Sequence, residues 1–165
     1  NSLLQKKIKL DLLYNNAGII DWDNLNEVSA SSTEKIYKVN LIGALLVTRH
    51  AIPCLKNSAD PVIVNLSSRL GSIEIRGETQ LGGAIAYQCS KAALNMLTKQ
   101  SAIDLHKHNI RVISQSPGWV KTDMGGKDAK YEIKDAVTKM IQSLLKMKSD
   151  QTGIFIREDR DLIPW

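Results

Sequence analysis

Four short apolar runs separated by long helical segments restrict the fold of this chain more than any other feature. The runs cover residues 10–14, 61–66, 110–114 and 153–156. Helical patterns fill residues 33–56, 87–108 and 133–147 between them. Strands that alternate with helices of this length pair in parallel through right-handed crossovers. The order therefore predicts an α/β fold, a doubly wound parallel sheet of about four strands with helices on both faces.

The composition indicates one globular domain and argues against two classes of partner. With 165 residues and 43% hydrophobic composition, the chain can form a single core. No apolar run approaches the roughly 18 residues that a membrane-spanning helix needs. The net charge of +5 comes from scattered lysines and arginines without interleaved aromatic residues, which is not the pattern of a nucleic-acid-binding surface. We therefore expect no nucleic acid and no membrane as partner.

The cysteines and histidines lack the spacing of metal ligands. Neither Cys54 nor Cys89 belongs to a ligand-like pair, and the three histidines lack the helical i, i+4 pairing of a metal site. Cys89 is interpreted as a residue of helix packing. Because so few cysteines also give no disulfide framework, we expect a cytoplasmic protein without a bound metal.

Residues 87–91, Tyr-Gln-Cys-Ser-Lys, open a segment of strong helix formers. Residues four apart lie on the same face of an α-helix, so the Tyr87 phenol and the Lys91 ammonium should be neighbours. A nearby cation lowers a tyrosine pKa from about 10 and makes the phenol an acid that can protonate a developing alkoxide. The pair therefore predicts carbonyl reduction. The alternative is an exposed helix pair that contributes about 0.2 to 0.5 kcal/mol to stability.

Polar residues follow two of the predicted strands, at the edge where open α/β sheets bind ligands. Asn15-Asn16-Ala17-Gly18 follows the first strand and suits a sharp turn, and Ser67-Ser68 follows the second. Asn40 lies among apolar residues of the predicted 33–56 helix, where a buried amide needs a hydrogen-bond partner. The alternatives are ordinary turn residues for the serines and a satisfied core amide for Asn40.

Five motifs stand in the order of a known family. They are Asn15-Asn16-Ala17-Gly18, Lys38-Val39-Asn40-Leu41-Ile42-Gly43, Val64-Asn65-Leu66-Ser67-Ser68, Tyr87-x-x-Ser90-Lys91 and Pro117-Gly118-Trp119-Val120-Lys121-Thr122-Asp123-Met124. With its final Leu162-Ile163-Pro164-Trp165, the chain resembles the short-chain dehydrogenases/reductases, most of all carbonyl reductases of the sniffer and C-factor type. The resemblance implies a Rossmann-like fold, with residues 1–165 forming a single partial domain, the C-terminal two-thirds of the family's domain.

The resemblance also implies a catalytic tetrad of Asn40, Ser68, Tyr87 and Lys91. Tyr87 would protonate the carbonyl oxygen as hydride arrives from a nicotinamide, and Ser68 would hold that oxygen. Lys91 would lower the Tyr87 pKa and bind the nicotinamide ribose, and Asn40 would anchor a water that relays protons to Lys91. The implied cofactor-binding residues are Asn16, Ala17, Gly18, Tyr87, Lys91, Pro117, Gly118, Val120 and Thr122.

The chain departs from the family pattern at two places. The family's Gly-rich Thr-Gly-x-x-x-Gly-x-Gly turn does not occur in these 165 residues, and the residues that select NADP or NAD accompany that turn. NADP is the expected cofactor and NAD the alternative. Near the C-terminus, the subgroup's Asp-Gly hairpin is replaced by Glu-Asp-Arg-Asp at residues 158–161, so the usual residue for positive φ is missing there.

Two functions follow from this pattern. The first is an NAD(P)-dependent oxidoreductase that reduces aldehydes or ketones, with a small-molecule carbonyl compound as its substrate. The second is a truncated, non-catalytic relative that acts only as a binding or dimerising protein. In many relatives the helices corresponding to residues 33–56 and 84–108 form a dimer contact, so we also expect a two-fold homodimer.

Overall fold

The computed structural model describes residues 8–76 and 82–165. Within them, four parallel strands form one sheet in the order β1-β2-β3-β4. The strands are β1 (Leu12–Asn15), β2 (Val62–Leu66), β3 (Arg111–Gln115) and β4 (Ile154–Ile156). The longer helices are α1 (Ala30–Tyr37), α2 (Ala44–Leu55), α3 (Ile85–Leu105) and α4 (Ile133–Leu145). The predicted fold class, a Rossmann-like doubly wound parallel sheet with flanking helices, is confirmed.

Each face of the sheet packs into its own apolar cluster. Ile63 and Val112 are register partners on neighbouring strands and belong to a cluster with Leu55 of α2 and Leu105 of α3. The next residues along the same strands, Val64 and Ile113, belong to a second cluster with Ile156 of β4. Successive strand residues point to opposite faces, so helices cover both sides and the strands read as continuous apolar runs.

A band of buried polar side chains crosses the sheet near the carboxyl ends of the strands. Asn15, Asn65 and Ser114 are register partners on three adjacent strands. Asn15 Nδ2 donates to Asn65 Oδ1 at 2.7 Å, and Asn65 Nδ2 donates to Thr98 Oγ1 of α3 at 2.9 Å. Thr98 Oγ1 also lies 2.8 Å from Ser114 Oγ. These bonds fix the position of α3 relative to the strand ends.

The long helix predicted over residues 33–56 is divided into three parts. It begins earlier than predicted, at Ala30, because Ser29 caps it by accepting a hydrogen bond from the backbone N–H of Ser32 at 3.1 Å. A π-helical segment, Lys38–Gly43, then joins α1 to α2. The sequence pattern predicted one uninterrupted α-helix and missed this segment.

The C-terminal segment forms a hairpin although its sequence lacks the usual turn residue. Arg157 N donates to the Asp161 carbonyl at 2.8 Å, and Ile156 and Leu162 form an antiparallel bridge. Arg160 takes the positive φ, at 81°, that glycine would adopt freely. The turn is therefore present, and the strain is located at Arg160.

Candidate active site

Helix α3 carries Tyr87 and Lys91 into the interior of the protein. The helix begins directly after Gly83 and Ala84, which both adopt positive φ. Tyr87 is 6% exposed and Lys91 is 3% exposed. Cys89, which was predicted to pack in the interior, is instead exposed, because it lies about half a helical turn away from Tyr87.

Lys91 contacts both the Tyr87 ring and the end of β2. Its Nζ lies 5.6 Å from the centroid of the Tyr87 ring and donates a hydrogen bond to the Leu66 carbonyl at 2.7 Å. Burial removes water from the ammonium and lowers the pKa of Lys91 to about 8. A substantial share of neutral amine is therefore present near pH 8.

The pKa of Tyr87 shifts in the direction opposite to the sequence-based prediction. Burial of the phenol raises its pKa, and a side-chain hydrogen bond with Ser68 lowers it by a smaller amount. Lys91 directs its hydrogen bond to the Leu66 carbonyl rather than to the phenol. The expectation that Lys91 lowers the pKa of Tyr87 was wrong for this structure, because loss of hydration is the largest effect and the smaller lowering comes from Ser68.

Ser68 and Ser67 follow β2 but occupy different environments. Ser68 lines a cleft beside Tyr87, and its Oγ accepts a bond from the backbone N–H of Leu70 at 3.2 Å. Ser67 borders the same cleft but is only 2% exposed, and it donates to Asn95 Oδ1 at 2.7 Å. Of the two serines, Ser68 is the one whose side chain affects the pKa of the phenol.

Asn40 lies in the π-helical segment and its amide is fully hydrogen-bonded. Its Oδ1 accepts from the backbone N–H of Ile19 at 2.8 Å, and its Nδ2 donates to the Ile19 carbonyl at 2.9 Å and to Ser90 Oγ at 3.0 Å. A β-carbon built on Gly18 would lie 3.6 Å from Asn40 Oδ1 and 3.4 Å from Lys91 Nζ. Asn40 and Lys91 therefore face the same point of the loop after β1.

A cleft of about 610 Å³ opens beside the Tyr87 phenol at the carboxyl edge of the sheet. It brings together most of the predicted site residues: Asn16, Gly18, Ser68, Tyr87, Pro117, Gly118, Val120 and Thr122. Ala17 is exposed outside the cleft lining, and Asn40 and Lys91 lie behind the lining rather than in it. The loop after β3 is held by a bridge between Val120 and Tyr131.

Sequence reasoning missed the apolar wall of this cleft. Trp22 and Trp119 are 54% and 56% exposed there, and Ile133 and Val137 add one face of α4. The remaining apolar lining residues are Ile20, Leu66, Leu70, Met124, Ala136 and Met140. The four-residue spacing of Ile133 and Val137 indicates that they share one face of a helix, so the sequence could have identified them. The two tryptophans lie in loops, where the sequence has no periodicity that would predict their position.

The cleft suits one half of a nicotinamide dinucleotide better than the other. Gly118, at φ 77°, turns the chain so tightly that a β-carbon there would lie 2.8 Å from the Tyr131 ring. Among the described residues that line the cleft, Asp123 is the only charged one. The lining can therefore hold an uncharged ring, but it offers no cation to a diphosphate.

The described residues contain neither a cluster of metal ligands nor a membrane-spanning helix. No group of three or more His, Cys, Asp or Glu side chains there is arranged to hold a metal ion. No helix in residues 8–76 and 82–165 has the length and apolar character to cross a membrane.

The fold and the cleft define a Rossmann-like α/β protein whose polar residues gather at the carboxyl ends of its strands. The chain belongs to the short-chain dehydrogenase family, because residues 1–132 match the profile of that family. By family it is therefore an oxidoreductase of the NAD(P)-dependent short-chain dehydrogenase/reductase type.

Individual relatives agree with this assignment. The chain is 34% identical to the C-signal of Myxococcus xanthus over 157 residues, which are 94% of this chain and 93% of that protein. It is 36% identical to a cyclopentanol dehydrogenase of a Comamonas strain over 124 residues, which are 75% of this chain but only 47% of that enzyme.

Solved structures of carbonyl reductases superpose closely. The NADPH-bound carbonyl reductase from chicken fatty liver matches with a TM-score of 0.91 at 34% identity, covering 97% of this chain and 68% of that one. The carbonyl reductase Sniffer of D. melanogaster matches with a TM-score of 0.91 at 33% identity, covering 98% and 69%. The chain thus spans about two thirds of the carbonyl reductases that it resembles.

Proposed function

We propose that this chain carries the catalytic part of a carbonyl reductase that uses NADPH. The observation that carries the proposal is that Tyr87 and Ser68 line the same cleft, where the Ser68 side chain lowers the pKa of the phenol. A neutral phenol held by a hydroxyl can donate its proton to a carbonyl oxygen and share that oxygen with Ser68. The raised pKa of Tyr87 keeps the phenol protonated before the reaction.

A nicotinamide cofactor, when bound, supplies the hydride. Pro117, Gly118, Val120 and Thr122 are the residues that would hold the nicotinamide end, with Asn16 and Gly18 on the other side of the cleft. Lys91, with a pKa of about 8, can return a proton to Tyr87 after turnover, and Asn40 orients the loop next to Lys91. We expect NADPH as the cofactor, with NADH as the alternative; the similarity to the NADPH-bound chicken enzyme supports this choice.

The substrate that this cleft favours is an uncharged carbonyl compound with an apolar group. Trp22, Trp119 and Val137 present apolar surface, and Asp123 would repel a carboxylate. The direct test follows NADPH oxidation by residues 1–165 joined to a Gly-rich phosphate-binding segment from a related carbonyl reductase. It compares 4-methylbenzaldehyde with 4-carboxybenzaldehyde, two aldehydes of similar shape. We expect a higher kcat/KM for the methyl compound, and an Asp123→Asn variant should narrow the difference.

The competing function, binding without catalysis, has one observation in its favour. The described residues that line the cleft include no cation and no Gly-rich loop for a diphosphate. A diphosphate normally rests on a helix N-terminus and backbone N–H groups. We expect the 165-residue chain to bind NADPH with a millimolar dissociation constant or weaker, about −4 kcal/mol or less favourable. Calorimetric titration of this chain decides the point, since a micromolar constant would show that its own residues hold the cofactor.

A further inference from the structure

Asn95 lies on the same face of α3 as Tyr87 and Lys91, because the three residues are spaced four apart. It is 3% exposed and does not line the cleft. Its side chain uses both ends of the amide: Oδ1 accepts from Ser67 Oγ at 2.7 Å, and Nδ2 donates to the Gly71 carbonyl at 3.2 Å. Ser67 and Gly71 bracket Ser68 in the chain, so one amide holds both sides of the turn that carries Ser68.

The same turn rests directly on the helix. A β-carbon on Gly71 would lie 2.7 Å from Lys91 Cβ and 2.8 Å from the Lys91 carbonyl carbon, so the turn touches the helix backbone. The bonds of Ser68 within this turn are local: its Oγ accepts from the backbone N–H of Leu70 and its carbonyl accepts from the backbone N–H of Gly71. The position of Ser68 relative to α3 is therefore set by its neighbours.

We propose that Asn95 is a positioning residue that holds the Ser68 hydroxyl against the Tyr87 phenol. It acts through Ser67 and Gly71 and touches neither the phenol nor the cleft. The role rests on the proposed function of Ser68 and Tyr87. The competing explanation is that Asn95 only satisfies two buried polar groups, in which case its loss costs stability and nothing more.

The test measures the coupling between Ser68 and Tyr87 and needs no turnover. Urea unfolding of the 165-residue chain is compared for Ser68→Ala, Tyr87→Phe and the double variant, and non-additivity gives the coupling. For one buried hydrogen bond we expect about a two- to tenfold effect on the unfolding equilibrium constant. The cycle is repeated with Asn95→Ala and with Thr98→Val.

Thr98→Val is the matched control. Thr98 is also buried on α3, and its substitution by valine also removes side-chain hydrogen bonds, here to Asn65 and Ser114. Unlike Asn95, Thr98 makes no hydrogen bond to the turn that carries Ser68. Both background variants should be destabilised. We expect the coupling to disappear in Asn95→Ala and to persist in Thr98→Val. Equal coupling in the two backgrounds, or no coupling in the unaltered chain, overturns the proposal.

If Asn95→Ala does not fold, Ser67→Ala decides the question, because it removes only the hydroxyl that Asn95 holds. A reduced coupling in Ser67→Ala supports the proposal, and an unchanged coupling overturns it. Failure of the proposed function would be seen separately, as absence of NADPH-dependent reduction while the coupling persists.

Discussion

The Lys91 ammonium is buried beside Tyr87 with one hydrogen bond to the Leu66 carbonyl. Its pKa is about 8 in the folded protein, against 10.5 ordinarily. The unfolded chain therefore binds more protons than the folded one between these values, and stability rises with pH there. Below pH 8 Lys91 is protonated in both the folded and the unfolded protein. Burial of its charge then lowers the free energy of unfolding by the full amount, about 3 kcal/mol.

This linkage predicts a pH dependence of unfolding. The free energy of unfolding should increase as the pH rises from about 8 to about 10, measured by urea denaturation. Lys91→Met, which keeps a similar length without the charge, should be more stable at pH 7 and should lose most of the increase. A Lys91→Met variant that retains the same pH slope would contradict the assigned pKa.

For single residues, the sequence predicted positions on a helix but not the effects of burial. The spacing of Tyr87 and Lys91 predicted that they share a helix face, and they do. The direction of the Tyr87 pKa depends on how much water the folded chain removes from the phenol, and helical spacing holds no information about that. The spacing also could not identify Asn95 as important, because its hydrogen-bond partners Ser67 and Gly71 lie in the turn after β2 and not on the helix.

The turn after β2 depends on the absence of a side chain at Gly71. Gly71→Ala should destabilise the protein by about 1 to 3 kcal/mol, because the added methyl would overlap Lys91 Cβ and the helix backbone. Gly82→Ala is the matched control, since a β-carbon there meets nothing within 4 Å. In thermal unfolding, Gly71→Ala should have a lower melting temperature than Gly82→Ala. Equal melting temperatures would contradict the close packing of the turn on the helix.

In the C-terminal hairpin a substitution should stabilise the protein, in contrast to Gly71→Ala. Arg160 is exposed and adopts φ 81°, so Arg160→Gly should stabilise the protein by about 0.5 to 1 kcal/mol. Asp161→Gly, at a neighbouring exposed position without positive φ, should stabilise it less or destabilise it. Denaturant unfolding measures both changes, and a destabilised Arg160→Gly would show that this turn is not strained.

At the scale of elements, the apolar runs predicted the four strands to within two residues at each end. Helix α4 was likewise predicted from its periodicity. The π-helical segment around Asn40 was not, because one extra residue in a helical turn leaves the apolar pattern on both sides nearly unchanged. It is this segment that carries Asn40 to the backbone of Ile19.

At the scale of the whole molecule, α2 and α3 present apolar side chains to solvent. Leu46 and Val47 on α2 and Met96 and Ile103 on α3 are 43% to 67% exposed. We expect this surface to form a two-fold homodimer, as predicted for these helices. Sedimentation at tens of micromolar should give a dimer, and Val47→Glu with Met96→Glu should give a monomer. A monomeric unaltered protein under these conditions would contradict the expectation.

The fold class and the family could be predicted because they depend on the order of strands, helices and motifs along the sequence. The shape of the cleft did not, because Trp22 and Trp119 come from separate loops and meet only in the folded protein. The sequence predicted a carbonyl substrate, but the preference for an apolar and uncharged one depends on the cleft and could not be predicted from the sequence.

Tyr87→Phe tests most directly whether Tyr87 donates the proton in carbonyl reduction. The assay follows NADPH oxidation with an aromatic aldehyde by residues 1–165 joined to a Gly-rich phosphate-binding segment from a related carbonyl reductase. Tyr37→Phe, on α1 and outside the cleft lining, is the control and should keep full activity. We predict that Tyr87→Phe lowers kcat by about 10²-fold or more while NADPH still binds. A Tyr87→Phe variant that retains most of its turnover would contradict the account.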